Sequence, residues 1–442
     1  MKLSINKNNT ILYLILFCMI LPTISFLNFE IPIIYLLTPV GIIILLFVLF
    51  GWIKIPFVLK PLIVLWVLII IQIFITTSYS TINKLGSFIF PTDIAQYVVR
   101  FVFFVSFIIF SFKGKINKDK FIKAFLIILI IGMTIGILQW LPWSGRTFFI
   151  ELYPFRDGVE QLSHLNRPLH LIRMHGFPQM ATANGGIASF AFILAYSVRK
   201  YYKQFDKITL ILMIVSIINI FASQARAGML SVVFSIFLFY LINIKYEKRG
   251  LKPTLVLIGL FTSLASIILY LYQSGNLFIS LTYDRWIKLF ETSGGARATT
   301  QPEYFFSIME GSDYLLGLSK PIINRSAISY GIEIEFLNIF VTYGAIGFIL
   351  QYSLIVFLLT YFFKKINKRI EDKAILALLV ASFVGLFSYQ IFSVAYFFFR
   401  ELRIGLFPWV LMGVTIGLYE RYKLSNMSNK PETRNDCRGN QL

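Results

Sequence analysis

Apolar residues in this chain come in runs of about twenty, separated by short polar connectors, almost from the first residue to the last. A helix that crosses a bilayer needs roughly 20 such residues. The pattern predicts twelve spans, at 10–27, 31–51, 61–78, 97–112, 121–142, 177–198, 207–223, 228–243, 253–273, 336–363, 374–397 and 404–420. The expected fold is therefore all-α: one polytopic membrane domain over 1–424, with a polar, Asn-rich tail at 425–442 that has too little apolar surface to pack. The N-terminus resembles a signal peptide but lacks a small-residue cleavage site, so it is expected to stay as the first span.

Two connectors break the rhythm by their length, about 143–176 and 274–335. In the longer one, Tyr283–Phe290 and Pro302–Met309 pattern as amphipathic helices at the membrane surface. Thr300 and Glu303 are spaced as a capping box, with Pro302 in the first turn. Ser293 to Ala296 is a flexible joint between them.

Composition agrees with the spans: 57% of residues are hydrophobic and 14% charged, too little polar surface for a soluble domain of 442 residues. The net charge of +20 changes meaning once it is divided by connector. Alternate connectors, counted with the span ends that carry Arg100, Lys123 and Lys207, hold 21 Lys and 6 Arg on one side, and 3 Lys and 11 Arg on the other. By the positive-inside rule the lysine side is cytoplasmic, with both termini there. Nucleic acid is excluded as a partner, because no basic stripe lies on a soluble face. The arginines opposite need another reason, and planar bidentate binding of phosphate or carboxylate supplies one.

Four places on the arginine side combine costly residues with a chemistry. Arg173-Met-His-Gly176 leads through Pro178 into the small-residue run Ala181–Gly186, where an arginine beside a helix start suits an anion. Ser223-Gln-Ala-Arg226-Ala-Gly228 is so short a turn that Arg226 sits near membrane depth, where an ionisable group is a functional candidate. Arg285 follows Asp284 in the long connector. Glu335 opens the span that continues to Tyr343-Gly-Ala-Ile-Gly347, placed to neutralise arginines or act as a base. His164, His170 and His175 share a connector at spacings that fit no helical metal pair, so no metal or other cofactor is expected, and His175 beside Arg173 is a proton-transfer candidate. The two cysteines, Cys18 and Cys437, lie too far apart in the pattern to pair. Gly114-Lys115 lacks the loop of a phosphate-binding nucleotide motif. Mid-span positions are nearly free of ionisable groups, which disfavours a translocation path.

In order and spacing these segments resemble the O-antigen polymerase and O-antigen ligase superfamily of bacterial surface-glycan enzymes. The resemblance rests on Arg173 to Gly186, Ser223 to Gly228, Arg285 in a long external loop, and Glu335 to Gly347, and covers roughly 170–350. The turn reads Ser-Gln-Ala-Arg where a compact Ser-Arg-Gly is commoner. Glu335-Phe336 stands where ligases tend to carry a histidine, which favours a polymerase. The resemblance implies a metal-independent glycosyltransferase at the outer face of the bacterial inner membrane, moving a glycan from undecaprenyl pyrophosphate onto the next lipid-linked repeat unit. Arg173, Arg226 and Arg285 would hold the pyrophosphate, and Glu335 or His175 would deprotonate the acceptor hydroxyl. Partners would be the lipid-linked oligosaccharide, membrane lipid and a chain-length regulator. A ligase, or a flippase for the same lipid-linked oligosaccharide, is the alternative.

Overall fold

The computed structural model describes residues 7–428 except 27–28, 156–166, 248–261, 264–265, 268, 278, 281–282, 285–287, 289–296, 329–330, 369, 395 and 397–403. Long apolar helices dominate. Eight among the described residues are long and apolar enough to cross a membrane. They are α3 (Leu59–Leu85), α4 (Ile94–Phe112), α5 (Lys118–Trp140), α7 (Ala181–Tyr201), α8 (Asp206–Ser223), α9 (Arg226–Glu247), α13 (Glu335–Lys365) and α14 (Lys373–Phe392). This is an all-α polytopic membrane protein.

The remaining described elements are shorter or less apolar. They are α1 (Lys7–Cys18), α2 (Thr38–Leu49), α6 (Arg146–Leu152), α10 (Thr300–Ile308), α11 (Asp313–Leu316), α12 (Lys320–Arg325) and α15 (Leu406–Ser428). The expected span 10–27 is not one continuous helix. α1 stops at Cys18, and β1 (Thr23–Phe26) pairs antiparallel with β2 (Phe29–Pro32), with Ile24 opposite Ile31. Pro22 and Pro32 bracket the hairpin, and neither can supply the N–H that a helix would need there.

Small residues set the helix spacing. In α15, Gly413 and Gly417 lie against the backbone of α4, where a Cβ on Gly413 would come within 2.8 Å of the Phe104 carbonyl. Without water to drive association, such close approach provides the contact area that holds membrane helices together. α7 is the hub, packed on α8, α9 and α14 and buried over most of its length.

α13 is broken at Gly344, whose φ is 67° and ψ −174°. The rings of Phe340 and Phe348 lie 6.3 Å apart, although eight residues of straight helix rise about 12 Å. The carbonyls freed at the break do not go unbonded. Leu318 N–H donates to Val341 O (2.8 Å) and Ser319 N–H to Thr342 O (2.9 Å). The strap that supplies them, 310–319, is gripped from behind by a polar stripe on α3. Gln72 donates to Tyr343 O (3.4 Å) in α13 at the break, and Thr76 and Ser80, at the next two turns, donate to Leu316 O (2.5 Å) and Gly317 O (3.0 Å) of the strap. Lys84, one turn further, pairs with Asp313 at 2.6 Å. Irregular backbone is tolerated among membrane helices when protein groups satisfy it in this way.

A second, smaller core sits over the break: Phe305, Met309, Leu318, Ile323, Ile332, Ile334 and Val341. α10 belongs to it, close to its expected bounds. Its cap position is Thr299 rather than Thr300, and no side-chain cap bond forms, so the expected capping box is not made. The predicted helix Tyr283–Phe290 and the joint at 293–296 lie mostly outside the described residues.

The connectors sort by end. At the lysine end, Lys118 pairs with Asp372, and Tyr202 donates to Asp119 at 2.6 Å. Asn117 and Asp372 cap the first turns of α5 and α14. The other end gathers the 141–180 connector, the 223–226 turn, the strap and the entry to α13.

Candidate functional site

The site is built where two backbones touch. Gly185 in α7 faces Gly228 in α9, and a Cβ on Gly228 would fall 2.8 Å from the Gly185 carbonyl. Ser189 spans the contact, donating to Gly185 O (2.7 Å) and Gly228 O (2.8 Å). Beneath it, Asn184 donates to Asn219 Oδ1 (3.0 Å), and Asn219 donates to Met133 O (3.1 Å) and Val215 O (2.8 Å). This amide pair ties α5, α7 and α8 together inside the bundle, where a hydrogen bond is worth about 1 kcal/mol.

The close approach brings two of the arginine segments side by side. Met174 N–H donates to Ala222 O (2.9 Å), and Arg173 Nε donates to Ser223 O (3.1 Å). Arg173 Nη2 reaches Thr182 Oγ1 at 3.4 Å. The Ser223 turn closes with Gln224 in the left-handed region at φ 53°, and Arg226 then begins α9, half-buried. Arg173 and Arg226 therefore flank one short turn at the start of α7.

That helix starts at Ala181, four residues later than the expected span. Met180 sits at its cap and offers no side-chain cap bond. The residues before it are tightly wound, with Gly176 at φ 63° and Gln179 at φ 65°. Gln179 is fully buried, and neither its Nε2 nor its Oε1 has a hydrogen-bond partner among the described residues. A non-glycine residue held at positive φ with its amide buried is the kind of strain that functional sites retain. Nothing in the local sequence marks it.

His175 and Glu335 occupy different surroundings. His175 is 2% exposed and stacks on Phe155 with ring centroids 4.1 Å apart. Glu335 is 1% exposed, and its N–H donates to Ser393 O (2.9 Å) at the end of α14. One residue earlier, the Phe392 ring packs over Gly186 in the first turns of α7. Arg285 lies outside the described residues, as does His164. Among the described residues no three His, Cys, Asp or Glu side chains converge as a metal site.

Arg100 is an exception to the expectation that mid-span positions are nearly free of ionisable groups. It is 1% exposed, six residues into α4. With Trp66, Tyr97, Ile339, Gln351 and Trp409 it borders a cavity of about 20 Å³. Nearby, Tyr97 donates to Gln351 Oε1 at 3.0 Å, and Tyr343 donates to Asp93. The signal was visible: an arginine in the apolar run Tyr97–Phe110.

No protein-family model matches this chain, and no curated protein does.

Proposed function

We propose that this protein is a polymerase of lipid-linked oligosaccharide repeat units, working at the outer face of the bacterial inner membrane. In this reading the chain makes twelve spans, the lysine end faces the cytoplasm with both termini, and the arginine end faces outward. The glycan on undecaprenyl pyrophosphate is the donor, and the next lipid-linked repeat unit is the acceptor. Arg173 and Arg226 bind the pyrophosphate leaving group, joined by Arg285. As the anomeric bond breaks, negative charge grows on the pyrophosphate, and planar guanidinium groups stabilise that charge in bidentate fashion. Glu335 takes the proton of the acceptor hydroxyl, with His175 as the other candidate. The activated bond is already in the donor, so the reaction calls for no nucleotide sugar.

The observation that carries this reading is the bond from Arg173 to the Ser223 carbonyl, which sets two arginine segments on one turn beside an uncapped helix start. A flippase for the same lipid-linked oligosaccharide is the second reading, and Arg100 inside α4 is the observation in its favour, because transport paths carry charge within the spans.

Gel profiles of the surface glycan and its lipid-linked precursors, after deletion of the gene, separate these readings. A polymerase predicts loss of the polymer ladder with single repeat units still exported. Full-length polymer stranded on the lipid carrier would mean a ligase, and repeat units trapped on the cytoplasmic face a flippase. An unchanged profile would sink all three. Complementation with Arg173→Lys should fail as Arg173→Gln does, because an ammonium cannot serve two acceptors in one plane.

A further inference from the structure

A buried arginine that the glycan reading does not use sits at the first turn of α6. Arg146 is 5% exposed. Among the described residues its one hydrogen bond runs from Nε to Gln139 O at 2.7 Å, and Nη2 is sealed from solvent without an acceptor. None of the described ion pairs includes it. Burial alone pushes the guanidinium down from its ordinary value, yet arginine stays charged in proteins. A cation so enclosed, held by one neutral carbonyl, has no counter-charge among the described residues.

The surroundings say where that charge comes from. α6 buries its cation and turns two large apolar side chains outward beside two polar ones. Phe148 and Leu152, spaced by four, are 61% and 38% exposed, with Thr147 and Glu151 exposed alongside them, whereas Arg146 and Ile150 are buried on the opposite side. The turn before it adds Leu141 and Trp143, 40% and 44% exposed. Trp143 donates its indole N–H to Leu138 O (2.7 Å), and Trp140 donates to Ile172 O (2.9 Å). Large apolar side chains turned outward with polar ones beside them suit a short helix lying at a bilayer surface. Paired tryptophans with bonded N–H groups mark the headgroup level. Arg146 is thus held where lipid phosphates lie.

We propose that Arg146 is a binding site for the phosphate of a membrane lipid, which accepts hydrogen bonds from its terminal guanidinium nitrogens while the acyl chains cover Phe148, Leu152 and Trp143. The proposal needs only that the protein lies in a membrane, and stands whether or not it transfers glycans. The lipid would pin the 141–155 segment, and with it Phe155 against His175, to the bilayer surface.

The test uses the full-length chain purified in a maltoside detergent, which contains no phosphate. Thermal melts and native mass spectra are recorded with phosphatidylglycerol added, with inorganic phosphate added, and with neither. In the unaltered protein the lipid should raise the melting temperature by roughly 3–5 °C and leave at least one more bound lipid than in Arg146→Met. Without lipid, Arg146→Met should melt at or above the unaltered protein, because an enclosed cation has been replaced by an apolar chain of similar length. Equal lipid retention and equal shifts in both proteins would overturn the proposal. So would a lipid-free Arg146→Met that melts well below the unaltered protein, because Arg146 would then be a structural tie to Gln139. A shift with inorganic phosphate and none with lipid would reassign the site to a soluble anion. Should Arg146→Met not accumulate, Arg146→Gln carries the same comparison. Loss of the glycan ladder in a deletion strain has no bearing on these outcomes, so this proposal and the polymerase reading fail separately.

Discussion

The two ends of this helix bundle hold their charges in different ways. At the lysine end, helices begin with side-chain caps, Asn117 on α5 and Asp372 on α14, and Lys118 meets the same Asp372. Charge there is settled between side chains at the surface. At the other end Lys84 pairs with Asp313 and Arg297 with Glu333, but the buried Arg146 and the part-buried Arg173 are bonded to the neutral carbonyls of Gln139 and Ser223. The backbone itself is bent out of regular structure, with Gln179, Gln224 and Ser319 at positive φ and α13 broken at Gly344. Of the non-glycine positive-φ residues described, only Lys203 lies at the lysine end. A surface ion pair costs little to build and contributes little, whereas backbone strain persists only where the surroundings force it. One end begins its helices with side-chain caps, and the other holds irregular backbone and carbonyl-bound cations.

The comparison breaks first at Gly344. A Cβ there would collide with the Leu315 carbonyl, in a backbone conformation side chains rarely adopt. Gly344→Ala should cost about 3 kcal/mol or more and expel the strap, seen as a collapsed melting temperature or loss of the monodisperse peak in detergent. A variant within about 1 kcal/mol of the unaltered protein would mean the strap is not locked in the break. Next comes Gly228→Ala, which forces α7 and α9 apart by pressing on the Gly185 carbonyl. We expect a loss of about 2 kcal/mol, with the ladder shortened because Arg226 moves with its helix. Unchanged glycan at reduced stability would separate the turn from the activity.

Smaller effects sharpen the contrast. Ser80→Ala removes one donor from the stripe that grips the strap, and should cost about 1 kcal/mol in a chemical-denaturation series. At the lysine end, Lys118→Met should change stability by no more than about 0.5 kcal/mol, because the ion pair is partly exposed and Asp372 keeps its capping bonds to Ala374 and Ile375. A larger loss at Lys118 than at Ser80 would reverse the comparison.

Much of the frame was legible from the spacing of apolar residues. The expected spans 121–142 and 374–397 lie close to Lys118–Trp140 and Lys373–Phe392. Contacts join the connectors around Lys118, Tyr202 and Asp372 of the lysine set, and those around Arg173 and Ser223 of the arginine set. Of the candidate site, the order Arg173, Ser223, Arg226 was readable as a series of motifs, but their meeting was not. Gly185 and Gly228 look like any small residues in a span until their backbones are seen to touch. Gln179 and Arg146 carried no signal, since an amide or a guanidinium in a connector is ordinarily solvated. Arg100 did carry one, and the length of its apolar run concealed it.

The sequence by itself determined that the chain is a bundle of membrane helices, and it sorts lysines and arginines into alternate connectors. Hydrophobic length and charge are local quantities, and a bilayer reads them directly. Only the tertiary structure decided that α13 breaks, that a strap fills the break, and that Arg146 is enclosed. Each depends on which backbone group finds a partner across the bundle. Gly344 tolerates its conformation because Leu318 and Ser319, distant in sequence, supply the N–H groups that its helix gave up.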